Sequence, residues 1–138
     1  MQYEIKNADK FRYVEVGEGP LMILLHGLFG ELSNYQNQIE YYKDRYKVIV
    51  PLLPIYELSV FEASLGGLTR FTHEFVEHMG YNNFILLGNS LGGHIATLYT
   101  LKHQEKYFPI YDIAGYNTES VKHAKQNFVM IDCFSDET

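Results

Sequence analysis

The chain has 138 residues, enough for one domain with a buried core. It is 46% hydrophobic and 20% charged, as soluble globular proteins are. A net charge of −6, with the basic residues scattered, excludes the basic footprint of a nucleic-acid binder.

Tyr3–Lys6 and Phe11–Val16 alternate apolar and polar residues, which predicts two half-exposed strands at a sheet edge. Gly17-Glu18-Gly19-Pro20 is a turn. Leu21–Leu25 is an unbroken apolar run, the pattern of a parallel strand covered on both faces. His26-Gly27-Leu28-Phe29-Gly30 follows where that strand ends, and a helix is predicted from Ser33, as N-cap, to Asp44, with Ile39, Tyr42 and Tyr46 as its buried stripe. Tyr46–Val50 is the next buried strand, closed by Pro51. The stiff, mostly apolar Pro51–Leu58 loop after it fits either a pocket wall or ordinary packing. Ser64–Met79 reads as a helix with Leu65, Leu68, Phe71, Phe75 and Val76 near helical spacing and Gly80 as its stop. His73 and His78 lie on it as surface or interface residues.

Phe84–Leu87 is a further apolar strand, and it runs into Gly88-Asn89-Ser90-Leu91-Gly92-Gly93, with a helix over Gly92–Lys102. This G-x-S-x-G between a strand and a helix has the spacing of a nucleophile elbow. A reactive serine must stand on a turn too tight for neighbouring side chains, and Gly88 and Gly92 leave that room. The helix opening after Ser90 directs its amides, the positive end of its dipole, to where an oxyanion would form. The Leu91 N–H is one candidate donor. The glycines of the His26–Gly30 loop free a second, for which Leu28 N–H is the candidate. The alternative for that loop is a plain strand-to-helix connection with a structural histidine. Alternating strands and helices predict a mostly parallel sheet with helices on both faces, a three-layer α/β/α sandwich. Ligands in such sheets bind at the carboxyl ends of the strands, where both special loops fall.

On His26-Gly27-Leu28-Phe29-Gly30 and Gly88-Asn89-Ser90-Leu91-Gly92-Gly93, the chain resembles the α/β-hydrolase superfamily from about Phe11 to His103. The resemblance implies that fold and a serine-ester type of chemistry. Serine at position 90 looks like the esterase, lipase or C–C-bond hydrolase branches, and unlike the dehalogenase and epoxide hydrolase branches, which carry Asp there. Pro51-Leu52-Leu53-Pro54 stands where many members have Asp-x-x-Gly-x-Gly-x-Ser, so no sub-branch follows.

The tail departs further. The family's triad runs serine, then acid, then histidine. Phe108–Ile113 is predicted as a strand, Gly115 as a turn, Thr118–Gln126 as a helix and Phe128–Ile131 as a last strand. An acid just past a late strand is where the family keeps its triad acid, which makes Asp136, or Asp132, the candidate. No histidine follows either, and His123 precedes both, so His123 serves as base only in a rearranged order. His94 and His103 lie in or at the end of the helix after the elbow. One domain is therefore expected over 1–138, with a family-like core at 11–103, a divergent tail at 104–138, and a fold truncated or altered at its C-terminal side. The expected substrate is a small molecule with an apolar acyl part. The competing expectation is a catalytically inactive remnant that binds a small molecule or a protein.

No P-loop, G-x-G-x-x-G or ligand-spaced His/Cys/Asp cluster occurs, so no metal or organic cofactor is expected. Met1–Lys6 has no signal-like apolar region, and no apolar run approaches the roughly 20 residues of a membrane helix. Cys133 is the one cysteine, which rules out an intrachain disulfide and fits a reducing compartment such as the cytoplasm. A shortened sheet would expose an edge, which favours self-association.

Overall fold

The computed structural model describes residues 3–27, 35–55, 59, 63–89, 91–103, 110–112 and 128–132. They build seven strands: β1 (Ile5–Ala8), β2 (Phe11–Val16), β3 (Leu21–Leu25), β4 (Lys47–Pro51), β5 (Phe84–Asn89), β6 (Ile110–Asp112) and β7 (Phe128–Asp132). The helices are α1 (Gln36–Tyr42), α2 (Leu65–Met79) and α3 (Leu91–Lys102). The sheet runs β1-β2-β4-β3-β5-β7-β6. β1 and β2 pair antiparallel, as do β2 and β4, and the four remaining pairings are parallel.

The apolar runs divide by their period of two. Ile23, Leu25, Ile49, Phe84 and Leu86 face one side, against Leu68, Phe75 and Val76 of α2 and Ile95, Ala96 and Tyr99 of α3. Met22, Leu24, Val48, Val50, Ile85 and Leu87 face the other, against Ile39 and Tyr42 of α1. Continuous hydrophobicity in these strands thus reflects helices covering both faces, as predicted. β3, β4, β5 and β7 pair in parallel, so all four finish at one end of the sheet.

Several boundaries differ from the expected ones. The first strand is Ile5–Ala8 rather than Tyr3–Lys6, because the hairpin turns on Asp9 and Lys10: Ala8 pairs with Phe11, and Asp9 takes φ 57°, a left-handed conformation that Asp tolerates. α1 is shorter than predicted. Ser33 lies outside the described residues, and Tyr35 occupies the N-cap with no side-chain cap bond. At the other end the Tyr42 carbonyl accepts from both Arg45 and Tyr46 N–H, which closes the helix and leaves Tyr46 buried beyond it. β4 is shifted by one residue and takes in Pro51, opposite Tyr13.

α2 forms where its signals stand. Ser64 Oγ accepts from Gly67 N–H at 3.1 Å, and Gly80 ends the helix at φ 71° with its own N–H on the Val76 and Glu77 carbonyls. Leu65 is exposed rather than part of the stripe, which begins at Leu68. Of the two late strands, Ile110–Asp112 falls within its predicted run, and Phe128–Asp132 extends one residue past the predicted Phe128–Ile131. The predicted turn at Gly115 and helix at Thr118–Gln126 lie outside the described residues.

Phe75 is fully buried and meets the rings of Phe11, Tyr13 and Tyr81 at centroid distances of 5.5, 5.7 and 6.0 Å. Phe75→Ala is expected to lower the unfolding free energy by about 3–5 kcal/mol in urea denaturation, through the cavity between α2 and the sheet.

Candidate active site

β5 ends at Asn89 and α3 begins at Leu91, so one residue, Ser90, separates strand from helix in sequence. Ser90 itself lies outside the described residues. The reversal brings backbone onto backbone. A Cβ on Gly88 would collide with the Gly92 carbonyl and lie 2.6 Å from the Gly93 nitrogen. A Cβ on Gly92 would collide with the Leu25 carbonyl and lie 2.8 Å from that of His26. Backbone atoms cannot swing aside as a flexible side chain does, so both positions require glycine.

The Gly92 contact also joins the two special loops. β3 and β5 are parallel neighbours with Leu25 paired to Gly88, and the first turn of α3 rests on the end of β3. His26-Gly27 therefore starts beside the N-terminus of α3. Leu91 is the first residue of that helix, and first-turn amides have no intrahelical acceptor. Leu28 lies outside the described residues.

His26 is 7% exposed and uses both ring nitrogens. Nδ1–H donates to the Gly27 carbonyl at 2.9 Å, and Nε2 accepts from Leu53 N–H at 2.9 Å. An acceptor at Nε2 requires the neutral ring with its proton on Nδ1. Burial holds the pKa below the ordinary 6.5, against the raising effect of the Gly27 carbonyl. Through these bonds His26 ties the exit of β3 to the exit of β4. Leu53 joins the core and Ile55 packs against it, so the β4 exit loop is anchored by packing.

Asp132 ends β7, and its Cα is in register with Asn89, one residue before Ser90. His123 and Asp136 lie outside the described residues. His94 is exposed in the first turn of α3. His103 follows the last turn, about 18 Å along the helix from Leu91, and its ring stacks on His73 at 4.5 Å. His78 packs on Phe11 at 5.4 Å. Among the described residues no group of three His, Cys, Asp or Glu side chains could hold a metal ion, and no helix is long and apolar enough to cross a membrane. Two features escaped sequence reasoning: the His26–Leu53 bond and the register of Asp132. Neither leaves a local signal, because each depends on which strands become neighbours.

The sequence profile described as "alpha/beta hydrolase fold" matches residues 20–107. Epoxide hydrolase 4 of Mus musculus is 31% identical over 103 residues, which cover 70% of this chain and 29% of that protein. Monoacylglycerol lipase abhd6-B of Xenopus laevis is 27% identical over 112 residues, covering 75% and 33% respectively. Among solved structures, an α/β-hydrolase enzyme from the metagenome of lagoon sediments at Mar Chica, Morocco, superposes with TM-score 0.70 at 48% identity. That alignment covers 74% of this chain and 47% of the other. The chain spans about a third of the length of these curated relatives and under half of that structure.

Gly92→Ala is expected to cost at least about 3 kcal/mol in chemical denaturation, at or beyond the usual overpacking range, because the obstacle is main chain. For His26, the unfolded chain takes up a proton near pH 6.5 and the folded chain resists it. The unfolded state then binds more protons as pH falls, so this contribution is complete above the ordinary pKa and is lost below it. His26→Phe is expected to cost about 1–3 kcal/mol near pH 7.5, since Leu53 N–H loses its acceptor. It should also flatten the decline of melting temperature between about pH 7 and 5.

Proposed function

The chain belongs to the α/β-hydrolase fold family, and from that premise we propose that it carries acyl-type hydrolysis of a small ester-like substrate with an apolar acyl part. The observation that supports this reading is that a single residue, a serine in the sequence, separates β5 from α3, whose first turn rests on the end of β3. In this mechanism Ser90 Oγ attacks the carbonyl carbon while its proton passes to a base. The Leu91 and Leu28 amides hold the tetrahedral oxyanion, a pair of donors of which each is worth on the order of a hundredfold or more in rate. Collapse expels the alcohol, protonated by the base, and water then frees the acyl group by the same steps in reverse.

His123 is the proposed base. His26 has both nitrogens engaged and His103 stands at the far end of α3. Asp136 is the acid that the family pattern suggests, but ladder register favours Asp132, opposite Asn89. The relatives include proteins named epoxide hydrolase, monoacylglycerol lipase and haloalkane dehalogenase, so similarity alone selects no reaction. Serine at position 90 favours a carbonyl substrate among these.

A second reading, a binding module that keeps the elbow as scaffold, is favoured by one observation: neither His26 nor His103 is placed to serve as base. A fluorophosphonate probe separates the two. An activated Ser90 is labelled, and Ser90→Ala abolishes the label. Asp132→Asn should slow labelling on the order of a thousandfold. No labelling of the unaltered chain supports the binding reading.

A further inference from the structure

β1 is the outermost strand on one side of the sheet, and among the described residues no strand lies beyond it. It closes onto β2 through a two-residue turn, with Ala8 opposite Phe11 and Lys6 opposite Tyr13. Such a turn makes Ala8–Phe11 a hydrogen-bonded pair, and pairs then alternate, so Lys6 also bonds inward. Ile5 and Asn7 therefore direct their N–H and C=O outward. Ile5 is in addition a large apolar side chain that stays 36% exposed. We propose that β1 is a dimerisation edge, pairing antiparallel with the β1 of a second copy about a two-fold axis at Ile5.

Charge selects this register. It sets Ile5 opposite Ile5 of the second copy, Glu4 opposite Lys6, and Tyr3 opposite Asn7. The apolar side chains meet, and Ile5 exchanges both bonds of a hydrogen-bonded pair with its counterpart. The two-fold axis makes the Glu4–Lys6 match twice, with opposite charges directly across the ladder. Moving the axis one residue either way sets Glu4 on Glu4 or Lys6 on Lys6, and like charges directly opposite are destabilising. An axis at Asn7 sets the apolar Ile5 against Asp9.

A lysine in an edge strand ordinarily guards it against pairing. Lys6 instead leans back over β2, where its Nζ lies 3.3 Å from Glu15 Oε2. An ammonium has three donors, enough for Glu15 and for Glu4 of the second copy. The strand is also held ready. Tyr3 Oη–H donates to Glu40 Oε2 of α1 at 2.8 Å, which fixes the residues ahead of β1 and lowers the ordering cost of association. The same patch serves both copies, so assembly closes at two. This inference draws nothing from the hydrolase reading and is tested apart from it.

The test is sedimentation velocity of the full chain over a concentration series. A monomer–dimer equilibrium is expected, with no larger species. Asn7→Pro removes an outward N–H that the chain itself does not use. Circular dichroism should then report an intact sheet, while the dimer weakens about 10-fold or more. Glu4→Lys and Lys6→Glu should each weaken it by about the same factor, since each sets like charges across both matches. Mixed in equal amounts, these two variants should pair with each other, because both opposite-charge matches are restored. If Lys6→Glu does not fold, Asn7→Pro decides alone. A chain still monomeric at about 1 mM overturns the proposal. So do oligomers beyond the dimer, an Asn7→Pro dimer as tight as the unaltered one, or folded charge variants that stay apart on mixing.

Discussion

The constraint on which the described structure turns is the approach of the Gly92 backbone to the carbonyl of Leu25. It sits where β3 and β5 lie side by side in parallel register, Leu25 opposite Gly88, and it lets the helix after β5 start directly on the end of the neighbouring strand. A methyl group there would meet the main chain of Leu25 and His26, and main chain at the end of a central strand has nowhere to go. Removing the contact would lift α3 from the sheet, and with it Ile95, Ala96 and Tyr99, which fill the core on that face. The same contact sets the N-terminus of α3 beside the His26-Gly27 exit. Core packing and site assembly are one arrangement here.

What was legible in the sequence follows from how local each signal is. β2 and β3 fall on the predicted residues, because alternation and unbroken apolar runs are properties of the strand itself. α2 begins after Ser64 and ends at Gly80, because a cap bond and a left-handed φ each need one residue of the right type. α1 is shorter than its pattern predicts. Ser33 is a good capping residue in isolation, but Tyr35 holds the N-cap position, where its ring and hydroxyl serve the core and Leu25. Strand order was the least legible feature. β7 lies between β5 and β6 although it follows both in the chain, and no local pattern states which strand a returning segment will join.

His26 shows how a tertiary partner changes the meaning of a motif residue. A histidine beside a glycine in a loop invites a chemical role. Its accepted bond from Leu53 N–H instead consumes the lone pair that a general base would need, and its burial disfavours the proton that a base must gain. The residue does its work by being neutral and immobile, joining the exits of β3 and β4 at the same sheet edge. With the Tyr35 hydroxyl on Leu25, three hydrogen bonds involve the consecutive residues Leu25, His26 and Gly27. That density of bonding is more than a plain connection needs.

Glycine and serine in the elbow motif argue for different things. Packing accounts in full for Gly88 and Gly92, since each faces main chain where a Cβ would stand. A non-catalytic relative with the same sheet would need them as much as an enzyme would. The glycines are therefore evidence for the fold and are silent about reaction. Serine between them is not demanded by either glycine's contacts, and a hydroxyl has no advantage in a tight turn over the other small residues that favour turns. A serine in the sequence at the one residue between β5 and α3, next to Asn89, whose register partner on the adjacent strand is Asp132, is a choice that packing leaves unexplained.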